Sequence, residues 1–127
     1  MSIINRMRKQ SAIYWPPGGT DTYGRPLVGQ LVELIRTPAG NYRVRWEDRV
    51  AEYIDLEGTE KRSHAVVYVP VLPNGGEVEV GGWLWLGLRA ELQDETDPTN
   101  NDGAYQVSRV DHLPDLRNRR TLRTVYL

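Results

Sequence analysis

Cysteine is missing from the 127-residue chain, and so is phenylalanine. Without cysteine there is no disulfide framework, no thiol nucleophile and no Cys-ligated zinc, which fits a reducing compartment. Without phenylalanine, an aromatic core has to come from the four Trp and seven Tyr. No apolar run reaches the roughly 18 residues of a membrane-spanning helix, and Met1–Gln10 lacks the apolar stretch of a signal peptide. The expectation is a soluble chain acting in a cytosol, with no membrane partner. Histidine is scarce: His64 and His112 stand far apart in sequence and read as ordinary surface or hydrogen-bonded residues. There is no G-x-S-x-G and no Ser flanked by glycines. With no nucleophile, acid–base set or metal motif to name, the expectation is a protein that is not an enzyme and takes no metal or cofactor.

Positive charge is also unevenly supplied. Fourteen of the sixteen basic residues are Arg and two are Lys, against seventeen acids, for a net charge of −1. Neutrality offers no global attraction to nucleic acid. Arginine suits planar, bidentate pairing, so its excess leans towards interfaces or phosphate contacts, with compositional drift of the source genome as the other source of such a bias. The signs are segregated along the chain. Residues 1–15 carry Arg6, Arg8 and Lys9 with no acid, and 47–60 carry six acids against Arg49. Residues 91–102 carry Glu91, Asp94, Glu95, Asp97 and Asp102 with no base, whereas 115–123 carry Arg117, Arg119, Arg120 and Arg123 against Asp115. Basic ends and acidic middle loops are the arrangement in which one copy's positive patch meets a neighbour's negative one.

What the chain does have is strand pattern. In YRVRWE (42–47), Tyr42, Val44 and Trp46 alternate with Arg43, Arg45 and Glu47, the period of a half-buried strand. QSAIYW (10–15), GQLVELIR (29–36), VAEYI (50–54), AVVYV (65–69), AYQVSRV (104–110) and TLRTVYL (121–127) are rich in β-branched and aromatic residues. NGGEVEVGG (74–82) reads as turn, short strand and turn. WLWLGL (83–88) is apolar on both strand faces and is expected to be central, buried from two sides. The only helical candidate is a turn around 112–120. The expectation is one all-β domain over 1–127, a small β-barrel or sandwich of about seven to eight strands with little helix.

Two polar stretches, 16–28 and 91–103, exceed the usual loop length of about four to six residues. In the first, within YWPPGGTDTYGRP (14–26), Trp15 ends a strand that Pro16 and Pro17 stop, Gly18 and Gly19 permit a tight reversal, and Asp21 suits a turn before Tyr23 and Arg25. It is not a phosphate cradle, which needs Gly-Lys-Ser/Thr opening a helix, because no lysine lies between Lys9 and Lys61. A partner-contacting loop is the functional reading, with Trp15, Pro16, Pro17, Gly18, Gly19, Asp21, Tyr23 and Arg25 as contacts. The second loop misses the calcium-loop register: from Asp97 the sixth position is Asp102, with Gly103 one residue late. Glu91, Asp94, Glu95, Asp97 and Asp102 are then candidates for meeting a neighbour's Arg117, Arg119, Arg120 or Arg123, which are also the candidate DNA-facing residues. An alternative is a small barrel that binds single-stranded nucleic acid, with Trp15, Tyr23, Tyr42 and Trp46 as stacking platforms.

In their order along the chain, SAIYWPPGGTDTYGRPLVGQLVELIRT, RWEDRVAEYIDLEG, SHAVVYVP, VEVGGWLWLG and the closing AYQVSRVDHLPDLRNRRTLRTVYL together resemble the small neck proteins of tailed bacteriophages, the head–tail connector or head-closure ("stopper") class. The resemblance covers most of the chain and rests on no diagnostic motif. It implies a β-barrel-like domain and a homo-oligomeric ring in the virion neck, assembled in the host cytoplasm. It further implies portal or adaptor and tail proteins as partners, non-specific contact with passing double-stranded DNA, and no catalysis.

Overall fold

The computed structural model describes residues 10–24, 26–38, 40–50, 52–54, 57–73, 75–114 and 121–127. The described residues hold strands and two short 3-10 turns, with no α-helix among them, so the fold is all-β. In chain order the strands begin with β1 (Ala12–Trp15), β2 (Pro17–Thr20), β3 (Pro26–Val28), β4 (Val32–Leu34), β5 (Arg36–Thr37), β6 (Gly40–Asn41) and β7 (Arg45–Glu47). They continue with β8 (Glu52–Ile54), β9 (Glu60–Arg62), β10 (Val66–Val69), β11 (Trp83–Leu86), β12 (Tyr105–Gln106), β13 (Arg109–Pro114) and β14 (Thr121–Tyr126). The strand count exceeds the sequence expectation because β2, β3, β6 and β9 form in stretches read as connections, and because β4 and β5 divide the 29–36 segment and β12 and β13 the 104–110 segment.

Two four-stranded antiparallel sheets carry the core, one in the order β12-β11-β1-β4 and the other β13-β14-β10-β7. They meet at two corners. The segment 105–114 lies in both, as β12 beside β11 and then as β13 beside β14. At the other corner, just before β1 and β7, Gln10 and Val44 exchange backbone hydrogen bonds of 3.0 and 2.7 Å. That single bridge is all the laddering there, and the sheets do not close into a barrel among the described residues. Ala12, Tyr14, Leu34, Val44, Trp46, Val67, Val69, Leu84, Val107 and Val125 pack between the sheets as one cluster.

β1 is buried on both faces, whereas WLWLGL, for which the sequence suggested this, is not. Ala12 and Tyr14 point into the shared core, and the period of two sends Ile13 and Trp15 to the opposite face. There they pair with Trp85 and Trp83 of β11. In β11 itself only Leu84 is fully buried, and Leu86 and Leu88 are exposed. The position of β11 is nonetheless central, between β12 and β1. Two other expectations change. Residues 77–80 form no strand: Val78 is buried, and the Glu79 N–H is taken by the Tyr14 hydroxyl at 2.9 Å instead of a ladder partner. Residues 112–114, expected to begin a helical turn, are extended within β13, and 115–120 lie outside the described residues.

Three two-stranded hairpins stand apart from these sheets: β2–β3, β5–β6 and β8–β9. The last is tied down on one side, where Tyr53 stacks on Tyr126 with ring centroids 5.3 Å apart. Arg109 Nη1 donates to the Ile54 carbonyl oxygen at 2.6 Å.

Candidate interaction surface

The first long loop is a β-hairpin. Pro16 interrupts the ladder after Trp15, as its missing N–H requires, and β2 then pairs with β3 from Pro17↔Val28 to Thr20↔Pro26. Gly18 and Gly19 do not make the reversal. They fall at a register shift within β2, where a Cβ on Gly18 would sit 2.8 Å from the Val28 carbonyl carbon and Gly19 takes φ +86°. The reversal is at Asp21–Gly24. The Gly24 N–H donates to the Asp21 carbonyl at 3.0 Å, and the Tyr23 N–H to Asp21 Oδ1 at 2.9 Å. This Asx turn places Tyr23 at the tip with 83% of its surface exposed.

The second long loop is folded against the protein. It covers the outer face of the first sheet, where Ile13, Trp15, Trp83 and Trp85 lie. Trp15 Nε1 donates to the Glu95 carbonyl at 2.9 Å and Trp85 Nε1 to the Asp102 carbonyl at 2.8 Å. Pro98 and Asn101 are its buried residues. The Asn101 side chain accepts from the Gln93 and Asp94 N–H groups and donates to the Asp94 and Asp97 carbonyls, four bonds of 2.7–3.1 Å. Asp94 is a second hub, accepting from the Thr96 N–H and hydroxyl, the Asp97 N–H and the Asn100 amide. Those donors, the Asn100 amide first and Thr96 next, hold its carboxyl down at about 2. Asp97 accepts from the Thr99 N–H and hydroxyl, and Glu91 from the Leu88 N–H. Most of the acids expected to await a neighbour's arginines thus fold their own loop.

Arg89 clasps this loop to the sheet. Its Nε and Nη2 grip the two Glu95 carboxylate oxygens at 3.0 and 3.1 Å, and Nη1 reaches Glu33 of β4 at 3.4 Å. The guanidinium keeps the Glu95 carboxyl below the usual carboxylate range. Between this clasp and the root of the β2–β3 hairpin lies a groove of about 330 Å³, lined by Val28, Gly29, Gln30, Leu31, Arg89, Glu95 and Thr96. The two long loops, distant in sequence, therefore share one edge of the molecule. In the 47–60 acidic run, Glu47 lies between Arg49 and Arg45, and their guanidinium groups lower its carboxyl.

Two expected contact residues are placed elsewhere by the packing. Trp15 is buried, because it lies on the outer face of β1 beneath the acidic loop. Arg123 is 3% exposed and pairs with Glu77 within the chain; β14 puts it on the inward side with Val125 and Leu127. Arg25, Arg117, Arg119 and Arg120 lie outside the described residues. Pro16 and Pro17 are half-buried at the hairpin root, with Gly18, Gly19 and Asp21 leading to the exposed tip. Asp102 is exposed, its carbonyl engaged by Trp85. Of the expected stacking platforms, Trp46 is buried like Trp15 and donates its indole N–H to Asp48 at 2.8 Å; Tyr42 is half-buried, which leaves Tyr23.

Sequence reading missed Arg89, Asn101 and β9, the strand that pairs with the expected β8 in a hairpin whose flank and end expose Val50 (65%) and Ile54 (58%). The one signal for Arg89 was its being the sole base between Arg62 and Arg109. Among the described residues no three or more His, Asp or Glu side chains gather as a metal site, and no helix is long and apolar enough to cross a membrane. Comparison with protein-family models, curated proteins and solved structures finds no match.

Proposed function

We propose that the chain is a non-enzymatic structural protein of a tailed-phage neck. Copies form a ring that joins the DNA-filled head, on its portal side, to the tail and helps close the DNA channel. One observation carries this reading most directly: the most exposed of the large apolar side chains, Tyr23, Val50 and Ile54, lie on or beside hairpins outside the two core sheets. Tyr23 and Leu27 belong to β2–β3, and Val50 and Ile54 flank or end β8. Exposed apolar side chains of this kind suit protein–protein contact. The resemblance in segment order to neck proteins supplies the identity of the assembly. Nucleic-acid stacking has less support, since Trp15 and Trp46 are engaged inside the protein.

The reading is tested by native mass measurement of purified protein, alone and with portal and tail proteins, and by deleting the gene from the phage. A ring or a co-assembly, with unjoined heads and tails in the deletion, is the expected result. Joined, infective particles without the protein would overturn it.

A further inference from the structure

The β2–β3 hairpin and the groove at its root are a knob and a hole on one chain. The knob is Tyr23, 83% exposed on a turn already ordered by Asp21, so little conformational entropy remains to be lost on docking. The hole, about 330 Å³, is at the bottom of the ~300–1,000 Å³ range of ligand clefts. That is room for one large side chain and too little for a nucleotide with its neighbours.

The chemistry of the groove favours a tyrosine. Val28 and Leu31 supply apolar wall, and Glu95 and Thr96 a polar rim. Arg89 has its guanidinium edges engaged in plane by Glu95 and Glu33. A guanidinium pinned at its edges keeps its flat faces for stacking on an aromatic ring, with cation–π attraction. A chain does not fill its own groove. The four residues of β2 separate tip from root by about 10 Å, and Tyr23, 83% exposed, is not seated in the groove of its own chain.

We infer that Tyr23 of one chain seats in the groove between Val28–Leu31 and Arg89 of a second copy. This rests on the ring reading above and names the contact that builds it. Knob and hole are different surfaces, so the contact is heterologous and propagates: it closes into a ring when the rotation permits and runs to a filament when it does not. Leu27, exposed on β3, extends the apolar contact along the hairpin.

The absence of native cysteine permits a direct test. Thr22→Cys and Gln30→Cys chains, each at an exposed position and with the Tyr23 ring kept, are mixed and mildly oxidised. The expected product is a covalent dimer from the mixture, a ladder of higher species from the doubly substituted chain, and no comparable cross-link from either single variant alone. Tyr23→Ala, at an exposed tip, is expected to keep the fold by circular dichroism and to weaken self-association roughly 30-fold, as truncation of an interface aromatic does. A ring in native mass spectra with no cross-link between positions 22 and 30 would overturn this contact and leave the ring standing. Equal cross-linking by T22C alone would also overturn it, as a tip-to-tip contact. A monomer at every concentration, without cross-links, would overturn both the contact and the ring.

Discussion

Trp15 and Trp85, on neighbouring antiparallel strands, donate their indole N–H groups to the Glu95 and Asp102 carbonyls of the same loop at 2.9 and 2.8 Å. Two rigid donors on one sheet face thus fix the loop near both its ends. The acidic run is a structural cover held by polar bonds, and its shape depends on those donors.

Trp15→Phe keeps most of the buried bulk and removes the indole donor. It should cost about 1 kcal/mol, the usual net worth of one hydrogen bond, whereas Trp15→Ala should cost about 3–5 kcal/mol through the cavity. Urea unfolding monitored by circular dichroism separates the two. Equal losses would mean that the indole bond, and not the packing, carries the side chain's contribution.

Asn101 serves four backbone groups from a buried position. Asn101→Ala should destabilise by about 2–3 kcal/mol, since freed peptide groups remain partly shielded from water. Asn101→Asp should be no better, because it loses both amide donors and adds a carboxylate beside Asp94 and Asp97. Hydrogen exchange over 93–103 is the measurement, and faster exchange confined to that loop is the expected outcome.

The loop should also loosen in acid. The Asp94 carboxyl lies at about 2 in the folded protein against an ordinary 3.8. A carboxylate depressed by folding stabilises the native state above its unfolded value, and that contribution fades as pH falls from about 4 towards about 2. Tryptophan fluorescence should therefore report a change around Trp15 and Trp85 over that window. Asp94→Asn should flatten that part of the profile, and an unchanged profile would assign the transition to other carboxyl groups.

Gly82 is required for closeness. A Cβ there would lie 2.7 Å from both the Trp15 carbonyl oxygen and a Tyr14 ring carbon, between two buried residues of β1 that have no room to give. Gly82→Ala should cost about 1–3 kcal/mol as an overpacked site, seen as a lower thermal midpoint. Tyr14→Phe should cost about 1 kcal/mol by leaving the Glu79 N–H without its hydroxyl acceptor. The Tyr14 hydroxyl, whose ionisation burial pushes up, should stay protonated well into alkaline pH.

The sequence by itself determined the all-β class and most strand positions. AIYW, RWE, VVYV and WLWL each carry enough β-branched or aromatic weight, bounded by Pro, Gly or polar residues, to form strands locally. It also contained more than was read from it. In the last strand, Arg123, Val125 and Leu127 share a parity, so the alternation that buries the two apolar residues also turns the arginine inward.

Only the tertiary structure decided what the two long loops are. Side-chain-to-backbone bonds such as Trp15 to Glu95 span 80 residues, and no local pattern encodes which carbonyl a distant indole will meet. A run of acids reads as solvated charge until its neighbours are known; Asp94, Asp97 and Asn101 order the loop because the sheet beneath gives it a surface to lie on. The groove beside Arg89 has the same origin: residues 28–31 and 89–96 meet only because β1 lies between β4 and β11.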